Sequence, residues 1–416
     1  MGKVVVIGGG AGGILAAGRA AECGAKVVLL EKNGSLGKKL LITGKGRCNI
    51  TNVAEMDTLI DAFGPTGKFL YGAFSRFSNN DLIEFLNDLG VPTKVERGGR
   101  VFPNSDQAAD VVAAFERWLA DKKVDVRVGQ SAKHLVVSQD ETTGQKKVEG
   151  AAVFGGLLQA DAVVLATGGI TYPKTGSTGD GYRMAAEVGH TIIPPTPSLS
   201  ALEVQEPWVK DLQGLSLRNV AVTMYVNNAK SAQVFGEMLF THFGVSGPII
   251  LALSKTYARL DDKHDVVVSI NLKPALDREQ LDKKFVAEFI QSKFFKNYLT
   301  ELLPRTMIPV FIQLSGISAD QPVNKINATQ RKKIIDLLTD LRMTITRARA
   351  ADEAIVTAGG VSIKEIDPRT MESKLVKGLY FCGEVIDIDA ITGGYNLQAA
   401  FSTGWIAGES AAKSSL

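Results

Sequence analysis

The junction that most constrains this chain is a β-branched run, Lys3 to Ile7, running directly into Gly8-Gly9-Gly10-Ala11-Gly12-Gly13. Three valines and an isoleucine in a row make a strand buried on both faces of a parallel sheet. From Ala11 to Cys23 the chain reads as a helix rich in small residues, closed by Gly24, and Lys26 to Leu30 reads as a second buried strand ending at Glu31. Each glycine has a physical task. Gly8 permits a tight turn, Gly10 lets backbone approach a pyrophosphate, Gly13 lets helix pack on strand, and the helix N-terminus offers unpaired N–H groups and a positive dipole. Glu31, 23 residues after Gly8, can accept from ribose hydroxyls. Strand, glycine loop, helix, strand and acid together predict a Rossmann-type dinucleotide site.

The same texture returns elsewhere, which is where composition enters: 42 of 416 residues are glycine, above the usual share of about 7%. A helix is predicted at Ala108 to Asp121, a strand at Asp125 to Val128, and a β-meander at Leu135 to Ser138, Lys147 to Phe154 and Leu157 to Asp161. A buried strand, Ala162 to Ala166, runs into the turn Thr167-Gly168-Gly169. Pro194, Pro195 and Pro197 mark a boundary. Residues 194–350 read as an inserted domain, with strands over about 198–275 (Val220 to Val226, Val266 to Leu272) and helices over about 276–345 (Arg278 to Leu302, Thr329 to Leu341). Residues 1–193 and 351–416 read as one discontinuous cofactor domain, with a strand at Leu379 to Cys382 and a helix over about 396–412.

Several classes are disfavoured at once. Cys23, Cys48 and Cys382 lie far apart without metal-ligand spacing, so neither a disulfide framework nor a zinc site is expected, and no metal is assigned. No apolar run reaches the 18 or more residues of a membrane span, and nothing resembles a signal peptide, so a cytoplasmic protein with no membrane partner is expected. The net charge of +3 does not by itself imply a polyanion.

FAD and NAD both satisfy the first fingerprint, and no second GxGxxG occurs. A flavin needs a remote second segment for its ribitol and ring, and residues 379–398 suit that task. Gly383 and Glu384 end a strand, while Gly393, Gly394, Tyr395 and Asn396 open a helix whose N-terminus can stabilise negative charge on a reduced flavin. Thr43 to Asn52 adds a glycine-rich basic loop (Gly44, Lys45, Gly46, Arg47) suited to a pyrophosphate or flavin ring. Cys48 within it reads as packing rather than redox.

The blocks GGGAGG, TGKGRCNITN, ATGGITYPKTGSTGDGY (166–182), FTHFGVSGP (240–248), TAGGVS (357–362) and GLYFCGEVIDIDAITGGYNLQAA (378–400) together resemble the BaiN/YhiN-like family of bacterial FAD-dependent flavoproteins. The resemblance spans essentially the whole chain. It implies an α/β fold in which a glutathione-reductase-like FAD domain carries an inserted β-barrel plus helical domain. It also implies FAD contacts at Ala11, Gly12, Gly13, Glu31, Lys32, Lys39, Thr43, Gly44, Arg47, Asn49, Gly383, Glu384, Gly394, Tyr395 and Asn396. Gly8, Gly10, Cys48 and Gly168 are counted with them, and Ala132 stands where such folds contact adenine through backbone.

Members of the family are linked to different chemistries. An NAD(P)H-linked reduction of an activated C=C bond in a small molecule, an enone of the 3-oxo bile-acid or steroid type, is the leading expectation. An aminoacetone-like amine oxidase and a reductase of an rRNA uridine are the alternatives. NADH or NADPH would visit transiently, since no second nucleotide fingerprint exists. Substrate-side candidates are Arg100, Tyr172, His242 and Tyr395, a Tyr or His being able to supply a proton or bind a carbonyl. Each has a bland alternative as a turn or packing residue. RNA would find seven basic residues against two acidic between Lys325 and Arg349, although a solvated helix face is the commoner explanation and RNA is not favoured. The oligomeric state stays open.

Overall fold

The Val4–Val6 run occupies the centre of a five-stranded parallel sheet in the computed structural model, which describes residues 2–260 and 264–415. The spatial order is Leu379–Phe381, Ala162–Leu165, Lys3–Ile7, Lys26–Glu31, Asp125–Val128. Val4 lies in register with Ala162 on one side and Val27 on the other. The central strand is buried on both faces, as an all-apolar run requires, with the helices Ala11–Glu22 and Tyr395–Ser415 packed against it. The helix Ala11–Glu22 and the long final helix Tyr395–Ser415 pack against one another, running parallel through small residues. A Cβ on Gly404 would stand 2.2 Å from the Gly12 carbonyl oxygen, and one on Gly408 would stand 2.2 Å from that of Ala16. The meander forms as strands Ala132–Gln139, Lys146–Val153 and Gly156–Gln159.

The chain divides into two compact units, Met1–Pro197 with Ala351–Leu416, and Ser198–Ala350. The proline segment at the first crossing is itself a strand, Ile192–Ser198, which pairs with Val356–Val361 in a two-stranded sheet, a position where missing N–H donors cost little. Residues 56–88, for which no element is predicted, form short helices. They lead into a three-stranded sheet of Thr51–Asn52, Thr93–Glu96 and Arg100–Pro103.

The second unit is a closed six-stranded barrel with helices and its own core. Its longest hairpin, Ser216–Val226 with Ala229–Phe240, turns through Asn227 and Asn228. Both are left-handed, the conformation that two-residue hairpins require. Two expectations are corrected here. Strands do not simply precede helices, because Leu341–Ala348 closes the barrel between Leu202–Val204 and Val266–Asn271. Leu341, Met343 and Ile345 are buried while Arg342 and Thr346 are exposed, a period of two that the surrounding basic residues obscured. The helix expected over Arg278 to Leu302 is broken into Arg278–Glu288 and Phe295–Leu299. Between them the Lys293 carbonyl accepts from Val323 N–H and the Phe295 N–H donates to Gln321, so long-range bonds displace helical ones.

Candidate functional site

The carboxyl ends of the parallel strands meet at one edge, the position where open α/β sheets bind ligands. Gly8 has φ +110°, and a Cβ there would lie 2.4 Å from the Ala166 carbonyl oxygen, so this loop and the Thr167-Gly168 turn touch through backbone. A Cβ on Gly13 would stand 1.8 Å from the Gly8 carbonyl oxygen. Gly10 differs: a Cβ there would meet nothing within 4 Å, and as the N-cap of the first helix it supplies no side-chain cap. Open space bordered by uncapped N–H groups is what a pyrophosphate needs. Ala11 and Gly12 form that first turn.

Glu31 is almost fully buried. Its Oε2 accepts from Gly9 N–H at 2.8 Å and its Oε1 from Asn33 N–H at 2.8 Å and Asn33 Nδ2 at 2.7 Å. A carboxylate has about four acceptor positions, so one direction is left for a ribose hydroxyl. Gln130 N–H donates to the Glu31 carbonyl, bringing the turn before Ala132 alongside. Thr167 Oγ1 is buried at this edge without a hydrogen-bond partner among the described residues. These features fit a dinucleotide.

A second cluster centres on Glu384, just after the edge strand Leu379–Phe381. Its Oε2 lies 2.7 Å from Lys39 Nζ, and its Oε1 accepts from Thr357 N–H at 2.8 Å and Thr171 Oγ1 at 3.1 Å. Lys39 also donates to Thr171 Oγ1 and stands 5.9 Å from the ring centre of Tyr172. Tyr172 adopts φ +54°, an outlier for a bulky side chain, and its hydroxyl makes no hydrogen bond among the described residues. Neither Thr171 nor Thr357 was singled out from the sequence; TAGGVS contained Thr357 without indicating its reach.

The third cluster joins the two flavin-loop candidates. Asn49, in the amide orientation that satisfies both its groups, accepts from Gly394 N–H at 3.0 Å. A Cβ on Gly394 would lie 2.3 Å from the Thr51 carbonyl oxygen. Gly383 takes φ +74° and donates its N–H to Thr403 Oγ1. Tyr395 is buried, which raises its phenol. Asn396 turns its amide back to Ala390, so it shapes its own loop.

The other expected contacts have partners within the protein. Arg47 forms ion pairs with Glu96 at 2.7 Å and Asp106 at 3.3 Å and stacks on Phe102. Its hydrogen bond holds the Glu96 carboxyl below the usual range. Arg100 opens a strand, reaching Glu96 and the carbonyl of Arg97. Lys32 pairs with Asp180 at 2.6 Å. Thr43 Oγ1 donates to the Leu40 carbonyl, and Gly44 has φ +57° with Asn49 close by. Cys48 is fully buried, and burial pushes its thiol up to about 12, so it is a packing residue. Gly168 has φ +73° against Ser177. His242 belongs to the second unit, exposed in the tight Thr241–Gly244 turn with its ring against Phe243. Of the basic segment, Arg331 pairs with Asp282, Arg342 with Asp340, and Arg347 and Arg349 with Glu203. Among the described residues no cluster could hold a metal ion, and no helix is long and apolar enough to cross a membrane.

Comparison with known proteins gives concordant results. The family profile described as HI0933-like protein Rossmann domain matches residues 2–410. A 3-dehydro-bile acid delta(4,6)-reductase of Clostridium scindens is 34% identical, with 99% of this chain and 100% of that protein covered. A ribosomal RNA dihydrouridine synthase of Escherichia coli is 33% identical over 99% and 98%. Among solved structures, a 3-ketosteroid delta1-dehydrogenase of Sterolibacterium denitrificans superposes with a TM-score of 0.53 at 14% identity, covering all of both chains, which bears on the fold alone.

Proposed function

The chain belongs to the HI0933-like Rossmann family, whose members are FAD-dependent oxidoreductases, and from that premise we propose that it uses reduced NAD(P)H to reduce a C=C bond conjugated to a carbonyl in a small 3-oxo bile-acid or steroid-like molecule. The carrying observation is full-length 34% identity to the bile-acid reductase, joined to a site whose backbone and side chains fit FAD at both ends. FAD, when bound, supplies a carrier of hydride between nicotinamide and substrate.

The residues present define what the protein contributes. Uncapped N–H groups of the Ala11–Glu22 helix and the open face of Gly10 would hold the pyrophosphate, and Glu31 the ribose. The Lys39–Glu384 pair, tied through Thr171 and Thr357, would meet the flavin half with one cation and one anion fixed by hydrogen bonds. The N-terminus of the final helix would stabilise negative charge. Tyr172 carries an uncommitted hydroxyl on a strained backbone beside Lys39, and strain of this kind is retained at working sites. We assign it the proton delivered to the carbon neighbouring the carbonyl.

One observation favours reduction of an rRNA uridine instead: the 33% identity to the dihydrouridine synthase is almost as high. Four of the seven basic residues of 325–349 are engaged in ion pairs with three carboxylates, Asp282, Asp340 and Glu203, which weighs against that segment as a phosphate footprint. Anaerobic stopped-flow decides. Rapid bleaching of the yellow protein by NADH or NADPH, then reoxidation by a 3-oxo-Δ4 steroid with gain of two hydrogens, is expected. Bleaching by aminoacetone alone, or reoxidation only by rRNA fragments with salt-sensitive binding, would replace this reading with the corresponding alternative.

A further inference from the structure

Beneath the Gly393-Gly394 loop lies a group of polar side chains that no fold requirement explains. Thr51, Gln398 and Ser402 have no exposed surface, and Asn52 is almost as buried. Thr51 Oγ1 donates to Gln398 Oε1 at 2.6 Å. Gln398 Nε2 donates to Ser402 Oγ at 2.9 Å and to the Phe77 carbonyl at 3.3 Å, and Ser402 Oγ donates to that carbonyl at 2.6 Å. Asn52 Nδ2 reaches the Gly393 carbonyl at 3.0 Å and the Gly98 carbonyl at 2.9 Å. Every member is satisfied, and a satisfied buried network rigidifies and specifies one arrangement where apolar side chains would tolerate several. The Gln398 N–H also makes the first bond of the final helix, to the Gly394 carbonyl at 3.0 Å. One residue therefore closes the helix's first turn and bonds the strand Thr51–Asn52, from which Asn52, with Asn49 just ahead of the strand, grips the loop.

Building on the FAD reading above, we propose that Gln398 is a positioning residue that sets the reduction potential of the bound flavin. By fixing the final helix against Thr51–Asn52, it fixes the distance from that helix's positive end to the negative charge of reduced flavin. Loosening the register moves the dipole away and makes the flavin harder to reduce.

The test is the midpoint potential of the FAD-loaded full-length protein, equilibrated anaerobically with a reference dye. Gln398→Met keeps the volume and removes the bonds. It should retain stoichiometric FAD while the equilibrium between oxidised and reduced flavin shifts about tenfold towards oxidised, about 30 mV for two electrons. Thr51→Val should shift it less in the same direction, and Thr51→Ser, which keeps the hydroxyl, should leave the wild-type value. If Gln398→Met fails to fold, the contrast between Thr51→Val and Thr51→Ser carries the test. FAD-loaded variants with unchanged potential would overturn the role of Gln398 while leaving the FAD reading standing. Wild-type protein that cannot take up FAD would instead remove the reading on which it rests.

Discussion

The first helix, Ala11–Glu22, and the final one, Tyr395–Ser415, run parallel and bring their N-termini to the same sheet edge. The first is held there by backbone on backbone: Gly13 against Gly8, Gly8 against Ala166, Gly12 against Gly404. The final helix is held also by side chains, through Asn49, Asn52, Thr51 and Gln398. A contact made of absent side chains tolerates no addition. A contact made of hydrogen bonds can be weakened in steps. Two ends that serve one cofactor should therefore fail differently.

Gly13→Ala should produce the largest effect. Its Cβ would fall 1.8 Å from a backbone oxygen, so a loss above about 4 kcal/mol is expected, seen as insoluble protein or a collapsed thermal transition. Gly10→Ala lies three residues away in open space. It should leave the melting transition within about 1 kcal/mol of wild type and raise the Kd for FAD about tenfold, by titration of apoprotein. Equal destabilisation by both would erase the distinction between packing and ligand-facing glycines. At the other end, Asn49→Ala should remove about 1 kcal/mol in urea unfolding, with FAD still bound; a loss as large as that of Gly13→Ala would mean this end is equally rigid.

The smallest effect concerns pH. His190 is buried, and desolvation lowers its pKa despite the Glu365 carboxylate at 3.1 Å; Lys146 adds to the lowering. Its Nε2 accepts from Ser373 Oγ, because that oxygen already receives the N–H groups of Leu375 and Val376. A base with a depressed folded pKa stabilises above its unfolded value, about 6.5, and that contribution is lost as pH falls below it. Urea midpoints should drop between pH 7.5 and 5.5 with a slope no steeper than about 1.4 kcal/mol per pH unit from this group. His190→Asn should flatten the profile; an unchanged slope would assign it to other groups.

The difference between the helices also governs how much was legible in the sequence. Gly8, Gly10, Gly13 and Glu31 act within 24 residues, so spacing alone exposes them. Gln398 and Thr51 are partners across 347 residues, and nothing local to either signals the other. Glu384 was legible as an acid ending a strand, but its grip on Thr357 and Thr171 was not. Arg47 was legible as a cation in the basic loop and Arg100 as a substrate-side candidate, but their shared partner Glu96 was not, because it lies in a stretch without a strong period. The last barrel strand was missed for the opposite reason: its alternation was present but overlaid by arginines that pair outwards with Asp340 and Glu203.

The close approach of Gly12 to Gly404 has a temporal meaning as well. During synthesis the strand Lys3–Ile7 and its helix emerge early, while the edge strand Leu379–Phe381 and the final helix emerge only after the whole of Ser198–Ala350. Until then Ala162–Leu165, apolar on both faces, is an open sheet edge, and the groove over Gly12 and Ala16 has no cover. Such an edge invites pairing with another chain. The second unit, with its own core, can fold in that interval. A nascent chain that has passed Ala350 but not yet reached Leu379 holds every strand of the second unit and a cofactor edge still half built, so flavin uptake has to wait for the elements that follow.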